Sequence, residues 1–146
     1  GDDTLLPDVE QRIHASSLLQ GRTTLAARVP RDEMPNYYSA ADVFVSGSHY
    51  EGSGYALIEA MSAGLVPVIT DIPSFRAIAG DCGERWPAGD AGACASALTR
   101  VCSADLADQK RRVASQYDRV LRWDAIARET IAEYQSLVDA TRAAAR

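Results

Sequence analysis

Apolar residues along the chain fall into short runs broken by glycine, proline and small polar residues. Two runs are dense in β-branched and aromatic side chains. Asp42-Val43-Phe44-Val45-Ser46 predicts a strand over 42–46, and Val66-Pro67-Val68-Ile69-Thr70 predicts another over 66–70, with Pro67 near its start. A short apolar strand is expected over 23–29, and a last one at Glu84-Arg85-Trp86. Between them the spacing turns helical. Pro7-Asp8 opens a helix expected to reach Leu19 and to stop at Gly21. A short helix spans 32–41 with Asp32 as its N-cap. Further helices are predicted over 55–63, closed by Gly64, and over 73–79, opened by Pro73 and stopped by Gly80. Beyond Asp90 the pattern is helical throughout, over 91–102, 104–122 and 124 to the end, with Trp123 between the last two. Gly1-Asp2-Asp3 reads as the loop that follows a strand.

Strands alternating with helices pair in parallel through right-handed crossovers. The expected fold is therefore α/β: a Rossmann-like parallel sheet flanked by helices, with a helical tail over 91–146. The strand at 42–46 should lie beside that at 66–70. In such sheets ligands bind beyond the carboxyl ends of the strands. Residues 47–54, which follow the first of these strands, thus become the first place to look for chemistry.

Composition narrows the class without changing this picture. The 146 residues suffice for one domain with a core, and 47% hydrophobic with 24% charged residues is a globular balance. No apolar run approaches the ~20 residues of a membrane span. A net charge of −5, with both signs scattered, argues against a nucleic-acid partner. Three cysteines, Cys82, Cys94 and Cys102, cannot all pair and form no CxxC, so neither a disulfide framework nor a metal site is expected. The simplest compartment is a reducing cytoplasm. Cys94 and Cys102 read as small buried hydrophobes. Trp86 and Trp123 read as packing residues, and Tyr117, Trp123 and Tyr134 as the core side of amphipathic helices.

The stretch Ser48-His49-Tyr50-Glu51-Gly52-Ser53-Gly54-Tyr55-Ala56-Leu57-Ile58-Glu59 carries the candidate chemistry. It runs from a strand through a glycine-flanked turn into a helix. The first turn of a helix has unpaired N–H groups and a partial positive charge. Gly52 and Gly54 allow close approach of a ligand to the backbone, as a diphosphate would need. Two carboxylates accompany them. Glu51 lies ahead of the helix, while Tyr55, Glu59 and Ser62 share one helical face. Leu57, Ala60, Met61 and Ala63 should pack on the sheet. A carboxylate accepts charge-assisted hydrogen bonds from neighbouring sugar hydroxyls. Taken singly, each residue also has an ordinary reading: Glu59 as a solvated helix residue, Glu51 as a carboxylate answering the helix dipole.

In combination these pieces resemble the group 1, glycogen-synthase-like family of retaining glycosyltransferases. The resemblance is carried by Tyr38-Ser39-Ala40-Ala41-Asp42-Val43-Phe44-Val45, then Ser48-x-x-Glu51-Gly52-x-Gly54, then Glu59-Ala60-Met61-x-Ala63-Gly64-x-x-Pro67-Val68, with Asp81-x-Gly83 and Gly89-Asp90 following. The glutamates of the family's E-x7-E motif fall on Glu51 and Glu59. The resemblance implies the C-terminal half of a GT-B fold that binds a nucleotide-diphosphate sugar. It implies that Glu51 is catalytic and holds the transferred sugar, and that Glu59 takes the ribose hydroxyls. Gly52, Ser53, Gly54, Tyr55 and Ala56 would line the sugar and diphosphate. No metal and no other cofactor is implied.

The resemblance further implies that residues 1–146 are part of the donor domain. The basic diphosphate-gripping residues and an acceptor-binding N-terminal domain would lie ahead of Gly1, so these 146 residues alone are expected to be inactive. The acceptor would be a glycan, a lipid or a small molecule, and a lipid acceptor would bring the full-length protein to the inner face of the membrane. Ser53 departs from the aromatic that usually stands there, which loosens the expected shape of the sugar pocket. Other readings stay open: a nucleotide-sugar-binding module without catalysis, or an epimerase of the same architecture. Arg76 could meet a phosphate or pair with a surface acid, and His49 is adjacent to the site loop.

Overall fold

The computed structural model describes residues 5–26 and 28–144. Gly1-Asp2-Asp3 lies outside the described residues. The chain divides into two compact units, Gly1–Met34 and Pro35–Arg146.

In the first unit, helix α1 spans Leu6–Ala15, with a proline in its first turn. It is four residues shorter than its expected end at Leu19. Ser16 turns extended (φ −113°, ψ 113°), and the short polar side chains of Ser16 and Ser17 compete poorly with bulkier helix formers. The chain then folds through successive turns to Gly21, at φ 68°. Gln20 Nε2 donates to the His14 carbonyl at 2.6 Å, occupying one of the acceptors that the helix end exposes. The strand expected over 23–29 is not formed at 23–26 or 28–29, and Ala27 lies outside the described residues. An isolated apolar run becomes a strand only with a neighbour to pair with, and no pairing reaches it among the described residues.

The second unit is the α/β layer structure. Helix α2, Met34–Ser39, starts two residues after the proposed cap Asp32, which sits instead in the preceding turn; Pro35 occupies its first turn. Strands β1 (Val43–Ser46), β2 (Val66–Thr70) and β3 (Glu84–Trp86) form a parallel sheet in the order β1-β2-β3. Helix α3 (Tyr55–Ser62) connects β1 to β2, and α4 (Pro73–Ala79) connects β2 to β3. The register pairs Val43 with Val66, Val45 with Val68 and Thr70 with Trp86. Both expected neighbours are thus side by side and parallel.

Every residue of β2 is buried, as a central parallel strand covered on both faces requires. The period-two alternation sorts its side chains. Ile69 joins Leu57, Met61, Ile72, Phe75, Ala79, Cys82 and Val113 in one apolar cluster, with Phe44 packed against it. Val66 and Val68 join Trp86, Ala97 and Val101 in the other, with Val43 at its edge. Burying each large apolar side chain stabilises the fold by about 1.5–3 kcal/mol. Trp86 is a packing residue as expected. Ala63 is not: it is exposed at the end of α3, because three and four residues before it Ala60 and Glu59 already divide the buried face from the open one.

Helix α5 (Ala91–Ser103) covers the second cluster, and α6 (Leu106–Gln116) lends Val113 to the first. Both have aspartate caps. Asp90 Oδ1 accepts from Ala93 N at 2.9 Å, and Asp105 Oδ1 from Asp108 N at 3.1 Å. The expected helix over 104–122 therefore starts at Leu106. It widens at Tyr117–Leu121 into a π-helical turn, and Arg122 is extended before α7 (Trp123–Ala144). The tail departs from its expected burial. Tyr117 packs half-buried on the first cluster, but Trp123 is 79% and Tyr134 67% exposed. Only Ala125 of α7 is buried. Cys94 is half-buried and Cys102 exposed, since Val101 and Ala97 already fill the face that α5 turns to the sheet.

Gly83, at φ 67°, has no room for a side chain: a Cβ there would collide with the backbone carbonyl oxygen of Pro67. β3 reaches β2 only because that position lacks one. Gly83→Ala should destabilise the protein by more than about 2 kcal/mol, combining left-handed strain with a backbone clash. An unchanged midpoint in chemical denaturation would contradict this account. Burial also pushes the Cys82 thiol above its ordinary pKa of 9.0, with Arg112 opposing and Asp81 adding to the rise. A thiol-reactive probe at pH 8 should label Cys102 first and Cys82 only after unfolding. As pH rises past that ordinary value, the unfolded thiol ionises before the folded one, so stability should fall.

Candidate functional site

The loop after β1 carries the site residues to the carboxyl rim of the sheet, and its end is set by Gly54. This residue is the N-cap of α3, buried, at φ 59°. A Cβ there would lie 2.5 Å from Ile78 Cδ1 and 3.6 Å from the Phe75 ring. Gly54 therefore lets α3 start flush against α4, a packing requirement that the sequence reading assigned only to ligand approach. Gly52 differs, being exposed with open space where a Cβ would stand. Ser53, Tyr55 and Ala56 are exposed beside it. The Gly54 carbonyl accepts from Leu57 and Ile58. No side chain caps the helix, and no backbone acceptor among the described residues meets the N–H of Tyr55 or Ala56. These two donors and the helix dipole face outward, as an anion site needs.

Glu51 is half-buried and does not stand alone. Ser48 Oγ donates to Glu51 Oε1 at 3.2 Å. Ser46 Oγ lies 3.4 Å from Ser48 Oγ, and since Ser48 has spent its one proton, Ser46 is the donor. Beneath them, the fully buried Thr70 donates its hydroxyl to the Ser48 carbonyl at 2.5 Å. The last residue of β2 thereby pins the loop that follows β1. Gly47 is 3.9 Å by its virtual Cβ from the Trp86 ring, and His49 lies exposed near Gly89. The loop is thus seated along the ends of all three strands.

Glu59 is on the exposed face of α3 with Tyr55 and Ser62, as the spacing predicts. Tyr38 Oη donates to Glu59 Oε2 at 3.2 Å, joining α2 to α3. Burial, and then the charge and hydrogen bond of Glu59, push the Tyr38 phenol above its usual range. Neither this contact nor the Thr70–Ser48 bond was found from sequence. A polar residue ending an otherwise apolar strand was the available signal for Thr70. For Tyr38 there was none beyond its place in the family-like stretch.

Arg76 pairs with an acid on its own rim. Its Nε and Nη2 donate to the two carboxylate oxygens of Asp71 at 2.5 and 2.8 Å, with Arg85 Nε 3.7 Å away. The Arg76 hydrogen bond, aided by both charges against a smaller desolvation effect, holds the Asp71 carboxyl below its ordinary range. Among the described residues no group of three His, Cys, Asp or Glu side chains is placed to hold a metal. None of the described helices is long and apolar enough to cross a membrane.

Residues 7–119 match the family described as glycosyl transferases group 1. The GDP-mannose:cellobiosyl-diphosphopolyprenol alpha-mannosyltransferase of Xanthomonas campestris is 30% identical over 129 residues, which cover 85% of this chain and 34% of that enzyme. The O-antigen chain mannosyltransferase B of Escherichia coli is 42% identical over 55 residues, 38% of this chain and 14% of that protein. The structure of sucrose-phosphate synthase from Thermosynechococcus elongatus superposes with a TM-score of 0.72 at 27% identity, covering 92% of this chain and 34% of that one. The chain thus spans about a third of the length of the longest of these matches, and its parallel sheet with flanking helices matches a GT-B glycosyltransferase fold. The chain belongs to the group 1 glycosyltransferases.

Proposed function

We propose that the chain is the donor-binding part of a longer retaining glycosyltransferase that moves a hexose from a nucleotide-diphosphate sugar to a glycan, lipid or small acceptor. One observation carries the reading. A carboxylate held by a hydroxyl chain, Ser46 to Ser48 to Glu51, stands directly ahead of a helix N-terminus with free N–H donors, and a second carboxylate, Glu59, lies on the open face of that helix. The diphosphate is then met by the N–H groups of Gly54, Tyr55 and Ala56 and by the helix dipole. Gly52 and Ser53 border the sugar, and Glu59 accepts from the ribose diol.

Glu51 faces the transferred sugar. As the bond from the anomeric carbon to the diphosphate breaks, positive charge develops on the sugar and negative charge on the leaving group. A fixed carboxylate on one side and helix N–H donors on the other stabilise this separation more than the ground state. The helix dipole, together with basic side chains, takes the charge on the diphosphate that a metal would otherwise carry. The relatives named for transfer from GDP-mannose make that donor the first to try. Relatives named for diphosphopolyprenol- and diphosphoundecaprenol-linked sugars favour a lipid-linked acceptor. A non-catalytic module is the second reading, and the paired glutamates favour the enzyme.

Glu51→Gln and Glu59→Gln in the full-length protein separate the roles. Glu59→Gln should weaken donor binding by about 1–3 kcal/mol with little change in kcat, since a ribose contact is alike in ground and transition states. For Glu51→Gln, kcat should fall roughly 100-fold or more while donor affinity changes little. Unchanged turnover in Glu51→Gln removes its catalytic role. A parent protein that binds donor but transfers to no acceptor supports the module.

A further inference from the structure

The Tyr38 hydroxyl is the one group described that touches either candidate carboxylate from a separate helix. Tyr38 is half-buried in α2, 21 residues before Glu59, and its bond reaches Oε2 alone. Glu59 Oε1 accepts no hydrogen bond among the described residues, although the side chain is exposed. A glutamate on an open helix face has three rotatable bonds, and ordering them costs entropy on binding. A half-buried donor on a neighbouring helix removes part of that cost beforehand. It also leaves one carboxylate oxygen aimed outward with its lone pairs free.

We propose that Tyr38 is a positioning residue for nucleotide recognition: it clamps one oxygen of Glu59 so that the other is presented to the ribose diol of the donor. This rests on the ribose role given to Glu59 above. The phenol does not touch the nucleotide itself. It acts through Glu59, and its removal changes the hold on ribose hydroxyls and nothing else in the reaction. Packing alone would make a different demand. A tyrosine that merely ties α2 to α3 would affect all ligands of the site alike.

Tyr38→Phe keeps the ring and its packing, and removes only the donor. The test measures binding of GDP, UDP and ADP, each beside its 2′,3′-dideoxy analogue, to the full-length protein, to Tyr38→Phe, to Glu59→Gln and to the double variant. For the diphosphate that the parent holds, Tyr38→Phe should weaken binding about 3- to 10-fold, the range of one net hydrogen bond. Its dideoxy analogue should bind parent and variant equally, and kcat at saturating donor should not change. The double variant should bind no more weakly than Glu59→Gln, as for two residues on one path. The proposal is overturned if Tyr38→Phe binds the ribonucleotide as the parent does, if the dideoxy analogue loses as much, or if the two losses add. A Glu59→Gln variant that binds as the parent does overturns the ribose reading itself, and the Tyr38 proposal with it.

Discussion

Strand β2 is buried on both faces along its whole length, and the rest of the second unit is arranged around that constraint. A parallel strand with apolar side chains up and down must be covered twice. Helices α3, α4 and α6 supply one cover and α5 the other. Its backbone must also be paired twice, by β1 and by β3. The second pairing is tight enough that Gly83 cannot carry a side chain against the Pro67 carbonyl. Each requirement limits where the strands can end, and the rim where they end is where the candidate site is built.

The link from core to site runs through Thr70. Its methyl-bearing side chain is wholly buried at the last position of β2, paired in register with Trp86. Its hydroxyl has one place to donate, and that is the Ser48 carbonyl in the loop after β1. A buried hydroxyl left unpaired costs about 1–3 kcal/mol, so the fold holds the loop as firmly as the loop satisfies the hydroxyl. Ser48 then donates to Glu51. The position of the candidate catalytic carboxylate is thus set by a strand residue 22 positions beyond the Ser48 that it bonds. Gly54 does the corresponding work at the helix: by admitting Ile78 and Phe75 it fixes where the free N–H donors of α3 begin.

Polar residues play two distinct parts on this rim. Asp71 and Arg76 satisfy each other with two short hydrogen bonds, and Arg85 adds charge from β3. The Arg76–Asp71 pair is exposed and neutral within itself, while Arg85 leaves the cluster with a net positive charge. Glu51 and Glu59 each accept one hydrogen bond from a neutral hydroxyl and face no cation within ion-pair distance among the described residues. Their charge is oriented without being cancelled, which is what recognition of sugar hydroxyls asks of a carboxylate.

Much of this was legible along the chain. The strands at 42–46 and 66–70 came from dense β-branched and aromatic runs, a short one was read at 84–86, and their parallel order came from the helices between them. The start of α5 just after Asp90 was legible from the helical spacing, and the shared face of Tyr55, Glu59 and Ser62 followed from 3.6-residue periodicity. These are local rules, satisfied by residues close in sequence. What failed needed a partner. The apolar run at 23–29 has strand composition, but a strand is made by its neighbour. Trp123, Tyr134, Cys94 and Cys102 have apolar character, but burial depends on which helix face the sheet has room for. The hydroxyls of Thr70 and Tyr38 find their acceptors 22 and 21 residues away. The sequence by itself determined the alternation of elements, the glycine positions and the two carboxylates eight residues apart. Only the tertiary structure decided which hydroxyl each carboxylate meets, because a hydrogen bond is set by ångström distances between segments that periodicity cannot relate.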